Sequence, residues 1–301
     1  MARFLRHLLP LLSPSFVPSK SQKVITKIIS DLDTYSPFRQ HGPSLANARE
    51  KIYADIDQLA SVDGVGFFNI LAFRGVFFGS PFAKSKHYRW FHSLEDWEHF
   101  QDAIKNDTEV KKYKGEVYYV KKNCYGQTQI GRKLSLLSSY WDQRLEWNNT
   151  FNKPEKPTIM EVFQWLVSRV IDIRTTKSST KFRNIGHLTA LLICGDIVEA
   201  GVLSMPSAHE WAEVIAKVGK GGKAGMEACG LVEERCDLGE FCAAFVSLDQ
   251  ALQIELGADE KEAMGYNVIM LEHALCKIGR ITNRGISKEI LYSEIDNSVT
   301  C

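Results

Sequence analysis

The chain of 301 residues reads as mainly α, and three observations lead there. Capped segments with apolar side chains three and four residues apart dominate its second half. The strongest strand candidate, GEVYYVKK, is short. Composition is ordinary for a globular protein, with 45% hydrophobic and 24% charged residues, which supplies a sizeable core.

The elements follow in order. The opening stretch MARFLRHLLPLLSPSFVPSKSQK has no acid before Asp31, which resembles a mitochondrial transit peptide. It has only two arginines, and its three prolines would interrupt an amphipathic helix. A flexible or packing arm over residues 1–49 is therefore the favoured reading. Ser93 caps a helix running through Trp97 and Phe100. Residues 105–157 carry the weakest pattern, with Gly126, Gly131 and the loop NNTFNKPEKP, and leave room for a boundary. Thr158 with Glu161 makes a capping box ahead of Phe163, Leu166, Val167, Val170 and Ile171. Ser207 with Glu210 opens the next helix, through Trp211, Val214 and Ile215, and Gly219 stops it. Asp259 with Glu262 opens a third, carrying Met264, Val268, Leu271 and Leu275 at helical spacing. These elements predict one helical domain over 50–285 and a tail over 286–301.

The totals exclude several classes. A net charge of +1 is no polycation, so nucleic-acid affinity must come from local patches. Seven cysteines without a C-x-x-C pair, and no secretory signature, read as reduced thiols in an intracellular protein. A nuclear location is favoured, with a mitochondrial one kept open by the basic N-terminus. No apolar run approaches membrane length without a charge, so no membrane partner is expected. No cluster has metal-ligand spacing, and neither a Walker A motif nor G-x-S-x-G occurs; no metal and no cofactor are expected.

Four stretches carry candidate chemistry. In FRNIGHLTA, a tight turn ends at Gly186 ahead of a helix, the arrangement by which a helix-hairpin-helix grips a DNA phosphate through backbone N–H groups. Asn184 stands where the first glycine of such a turn would be, and Asn tolerates a left-handed conformation. Lys177, Lys181 and Arg183 precede the turn. Asp196, ten residues beyond Gly186 and among Leu191, Ile193 and Ile197, is a candidate acid–base carboxylate. In VGKGGKAGM, Gly219, Gly221 and Gly222 alternate with Lys220 and Lys223, with no acid between Glu213 and Glu227, which suits phosphate or pyrophosphate. Glu272 and His273 are adjacent on a helix and diverge by about 100°, so one narrow pocket would not take both. Arg74, in the apolar run GVGFFNILAFRGVFFGS, needs a partner, for which a phosphate, a carboxylate or a structural ion pair all fit. The bland alternatives are plain helix starts and caps, a solvated basic turn and a partly buried histidine.

In order, FFNILAFRGVF with SLEDWEHF, FRNIGHLTALLICGDIV, VGKGGKAGM and MLEHALCK resemble the motif blocks of one family. It comprises the helical domain of the 5-hydroxymethyl-dUMP DNA kinases and the related α-glutamyl/putrescinyl thymine pyrophosphorylases. The resemblance spans roughly residues 50–285. The chain departs from the pattern at Asn184, Lys220 and Lys277. The resemblance implies a helical fold with a helix-hairpin-helix-like element related to DNA glycosylases, and action on DNA thymines bearing a 5-hydroxymethyl group. Without a kinase P-loop, this chain would replace a pyrophosphate on that group with an amine, acting as a transferase beside a separate kinase. In that scheme Arg74, Lys220 and Lys223 hold the leaving pyrophosphate, Asp196 deprotonates the amine, and Glu272 or His273 assists. Lys181, Arg183, Gly186, Gly219 and Gly221 contact DNA phosphate. A non-enzymatic DNA-binding module and a glycosylase-like enzyme stand as alternatives.

Overall fold

The computed structural model describes residues 1–13, 15–19, 21–78, 89–104, 110–113, 116–119, 136–151, 155–171, 178–283 and 286–297. Lys177, Gly126, Gly131, Cys124 and Cys301 lie outside them. The chain divides into two units: unit 1 joins Met1–Pro43 to Pro206–Cys301, and unit 2 is the intervening Ser44–Met205. This division differs from the expected arm, domain and tail. Both ends of the chain belong to unit 1, and the weakly patterned region 105–157 contains no unit boundary.

Unit 1 begins with helices α1 (Ala2–Leu8), α2 (Lys23–Ser30) and α3 (Leu32–Tyr35). Phe4, Leu5 and Leu8 are buried on α1, and Val24, Ile25 and Ile28 on α2. These spacings form two helical stripes, which is why the N-terminal residues serve as core rather than as an arm. Pro10 falls in a 3₁₀ turn, Leu9–Leu12, that ends α1, so it interrupts no helix.

Unit 2 continues with α4 (Pro43–Lys51), α5 (Ile56–Leu59), α6 (Val65–Ala72) and, directly after α6, a π-helical turn at Phe73–Phe77. Then come α7 (Leu94–Ile104), the strands β1 (Val110–Tyr113) and β2 (Glu116–Tyr119), α8 (Leu136–Asp142), α9 (Glu146–Phe151) and α10 (Ile159–Val167). Strands β3 (Arg169–Ile171) and β4 (Ser178–Thr180) lead to α11 (His187–Glu199). The strands make two antiparallel ribbons, with Val110 opposite Tyr119 and Arg169 opposite Thr180. The expected strand GEVYYVKK thus contributes β2. Aromatic rings fill this unit: Phe67 stacks on Trp147 at 4.8 Å and meets Phe182 edge-on at 5.4 Å. Such pairs contribute beyond their burial.

The returning segment of unit 1 supplies α12 (Ala208–Val218), α13 (Gly222–Ala228), α14 (Leu238–Glu255), α15 (Ala258–Met264), α16 (Val268–Asn283) and α17 (Lys288–Asn297). The capping boxes at Thr158 and Ser207 form as the sequence predicts, as does the left-handed stop at Gly219 (φ 66°). The third expected helix is two. Gly257, not Asp259, is the N-cap, its N–H donating to Glu260, and Gly265 (φ 61°) breaks the run before α16. Glu294 of α17 accepts from His7 Nε2 at 3.2 Å and from the Val24 N–H at 2.9 Å, tying α1 and α2 to the last helix. No described helix is long and apolar enough to cross a membrane.

The tightest crossing in unit 1 is α13 on α16. A Cβ added at Gly225 would lie 2.0 Å from the Leu275 carbonyl oxygen, and one at Gly279 would lie 3.0 Å from the Gly225 nitrogen. The backbones meet because neither residue has a side chain. Gly225→Val should therefore destabilise unit 1 by about 3 kcal/mol or more, through overpacking that backbone cannot relieve. Gly186, with open space around its Cβ position and an extended backbone, should accept Ala at a cost of about 1 kcal/mol or less. Urea unfolding of the two variants beside the wild type checks this; equal midpoints would refute it.

Candidate functional site

In unit 2 the candidate chemistry gathers on α11. The turn before it is anchored by Phe182 and Ile185, both fully buried, while Arg183, Asn184 and Gly186 face solvent. Asn184 is the one described non-glycine residue with positive φ, at 63°, the conformation that the sequence allowed it. Gly186 is the N-cap of α11 and offers no side-chain cap. The Arg183 carbonyl accepts from the Tyr140 hydroxyl at 2.5 Å, and a Cβ on Gly75 would strike that same hydroxyl. Tyr140 therefore pins the turn against the π turn that bears Arg74. Lys181 is engaged: its Nζ lies 2.7 Å from Glu146. Between α10 and α11 the chain runs through the β3–β4 ribbon, a longer connection than the direct tight turn of a helix-hairpin-helix.

At its other end α11 carries Asp196, and the structure brings Arg74 to it. Arg74 Nε donates to Oδ2 at 2.5 Å and its terminal nitrogen to Oδ1 at 2.6 Å, a bidentate pair with both side chains at most 1% exposed. The Tyr53 hydroxyl donates to Oδ2 at 2.8 Å. The guanidinium lies over the Phe78 ring at 4.2 Å and the Phe73 ring at 5.0 Å. Burial first, then the Asp196 charge, pushes the nearby Cys194 thiol up, which keeps it protonated and unreactive. Arg74 thus finds the carboxylate among its three expected partners, and a pyrophosphate would have to displace that carboxylate. Sequence reasoning names both members of the pair but misses Tyr53 and Tyr140, which lie in no chemical motif.

Unit 1 holds a second cluster, where Glu272 on α16 is 2% exposed. The Gly222 backbone N–H lies close enough to favour the charged form of its carboxylate. A Cβ on Gly221 (φ 68°) would sit 3.5 Å from Glu272 Oε1 and 3.3 Å from the Cys276 sulfur, so the glycine loop lies directly on these two side chains. Burial pushes Glu272 up to about 7, against the pull of Arg39, Lys277, the Gly222 N–H and Arg280. Lys277 is itself buried, its Nζ donating to the Asp33 and Thr34 carbonyls at 2.7 and 3.0 Å. His273 points elsewhere, with Nε2 3.1 Å from the Ser36 carbonyl oxygen. Of the loop lysines, Lys220 is exposed and Lys223 half-buried.

The motif blocks are thus joined two by two: Arg74 of the first with Asp196 of the second, and the glycine loop with Glu272 of the last. No protein-family model matches the chain, and neither curated proteins nor solved structures give a match.

Two measurements probe these clusters. Asp196→Leu or Arg74→Met leaves one buried group without its counter-charge and should each cost about 3–5 kcal/mol, whereas the two together should cost less than the two singles summed. A double-mutant cycle by chemical denaturation reads the coupling, and additive losses would deny it. For Glu272, between its ordinary 4.5 and about 7 the folded chain holds a proton that the unfolded chain has released. Its contribution is fully present below the ordinary value and is lost as pH rises through about 7. Glu272→Gln should flatten that segment of the stability–pH profile, and parallel profiles for variant and wild type would contradict the burial account.

Proposed function

We propose that the chain acts on DNA, modifying 5-hydroxymethyl-type thymine derivatives by exchanging a pyrophosphate for an amine. One observation carries the reading. A single helix, α11, links an uncapped turn of the phosphate-binding kind to a buried carboxylate held by an arginine, and both come from the motif blocks that resemble the thymine-hypermodification family. The helix N-terminus offers unsatisfied N–H groups and the positive end of a dipole, with exposed Arg183 beside it. The left-handed Asn184 supports comparing the turn to a helix-hairpin-helix element and, through it, to DNA glycosylases.

In this reading the roles shift from those the motifs suggested. Asp196 and Arg74 hold each other and fix the α11 end, with Tyr53 as a positioning residue. Glu272 takes the proton of the amine, because a carboxylate held near 7 matches general-base work at neutral pH. Lys220 and Lys223 attract the leaving pyrophosphate. A separate kinase would supply the pyrophosphorylated base.

The burial of Asp196 favours one alternative, a non-enzymatic DNA-binding module in which the pair is purely structural. The engagement of both Asp196 oxygens by Arg74 weighs against a glycosylase-like role, where the carboxylate must face a sugar cation. The deciding experiment incubates the protein with DNA carrying pyrophosphorylated 5-hydroxymethyluracil and a panel of amines, followed by mass spectrometry of the nucleosides. Aminated thymine supports the enzyme, and intact substrate despite DNA binding supports the module. In parallel, Arg183→Ala and the Lys220→Ala, Lys223→Ala pair should each weaken DNA binding across sequences. Each should also lower the salt slope by roughly one for every phosphate interaction removed. Wild-type slopes in both variants would refute DNA binding through these positions.

A further inference from the structure

Among the described residues of unit 1, a cavity of about 330 Å³ lies beside α1 and has no role assigned above. That volume lies at the lower end of small-molecule sites and equals the liquid share of roughly ten waters. Its walls come from five separate elements: α1, the C-terminus of α13, the end of α14, α16 and α17.

Phe4, Ile278, Leu291 and Ile295 form an apolar floor, each at most 6% exposed. Half-buried Cys229 adds a thiol above that floor, and Tyr292 adds a phenol whose hydroxyl donates to the Ala228 carbonyl at 3.3 Å and keeps lone pairs to accept with. On the solvent side stand Met1, Arg3 and Glu255, so the charged groups line the rim and none belongs to the apolar floor.

We propose that this cavity binds a small neutral molecule: a flat or branched apolar body of roughly ten non-hydrogen atoms, the volume set by the walls, with one hydrogen-bond donor turned toward Tyr292 and Cys229. A charged ligand would surrender its hydration to an apolar floor with no counter-ion at depth, which is costly. The site uses none of the residues assigned to DNA or to proton transfer, so it stands or falls independently of the proposed function.

Indole has the required size, neutrality and single N–H donor, and it serves as the probe. Titration into the full-length protein, followed by ¹H–¹³C NMR of the isoleucine methyls, should show saturable shifts at Ile278 and Ile295 and a melting temperature that rises with indole concentration. Bound indole should slow alkylation of Cys229 by iodoacetamide several-fold. Ile278→Trp should fill the space and abolish the shifts while the far-ultraviolet spectrum stays that of the wild type. If that variant fails to fold, Ile295→Phe narrows the same floor and should weaken indole at least tenfold. Tryptamine and indole-3-acetate should each bind at least tenfold more weakly than indole. No saturable shift with indole would overturn the site, and equal binding of the two charged analogues would overturn the neutral-ligand assignment.

Discussion

Burying a charge requires matching it, and each unit answers that requirement in its own way. In unit 2, Asp196 is matched by direct, short, bidentate contact with Arg74 and by the Tyr53 hydroxyl. In unit 1, Glu272 is matched more loosely, by one backbone N–H and by the fields of Arg39, Lys277 and Arg280. The difference in chemistry follows. A bidentate pair fixes geometry and resists change, while a carboxylate held by fields and one amide sits near neutrality and can exchange a proton. That contrast, more than the motifs, supports the positioning role proposed for Asp196 and the proton-transfer role proposed for Glu272.

The glycines divide along the same line between geometry and chemistry. Gly225 and Gly279 let two helices meet backbone to backbone, a purely steric duty. Gly222 sets its N–H close to Glu272, so the loop already holds an internal anion. An incoming phosphate at the Gly222 amide must compete with that carboxylate. Burial keeps Cys276, beneath the loop, protonated, with the Glu272 charge reinforcing the effect.

The helical character, the caps at Thr158 and Ser207 and the stop at Gly219 are all legible in the sequence, because caps act within four residues. Asn184 is legible for the same reason. The N-terminal helices look like an arm because their apolar stripes are short and are completed by elements such as α17, a partner more than 250 residues away in sequence. The break at Gly265 is hidden because helical spacing continues across it by coincidence, from Met264 to Val268. For the site, sequence marks Arg74 as needing a partner and Asp196 as needing a reason to be buried. Their separation of 122 positions hides that each is the other's answer. The support from Tyr53 and Tyr140 is illegible, since a hydroxyl's target depends entirely on tertiary placement.

The interleaving of the units also imposes an order in time. Unit 2 is continuous and can close as soon as Met205 has been made, but the stripes on α1 and α2 are synthesised first and find α17 last. At ordinary translation rates the 162 residues of unit 2 alone, from 44 to 205, occupy roughly ten seconds or more. Through that interval Phe4, Leu5, Leu8, Val24, Ile25 and Ile28 lack their native cover. The nascent chain therefore presents a sticky leader that calls for shielding by a chaperone or by transient collapse, and the yield of folded protein should respond to the pace of the ribosome as much as to the stability of the finished fold.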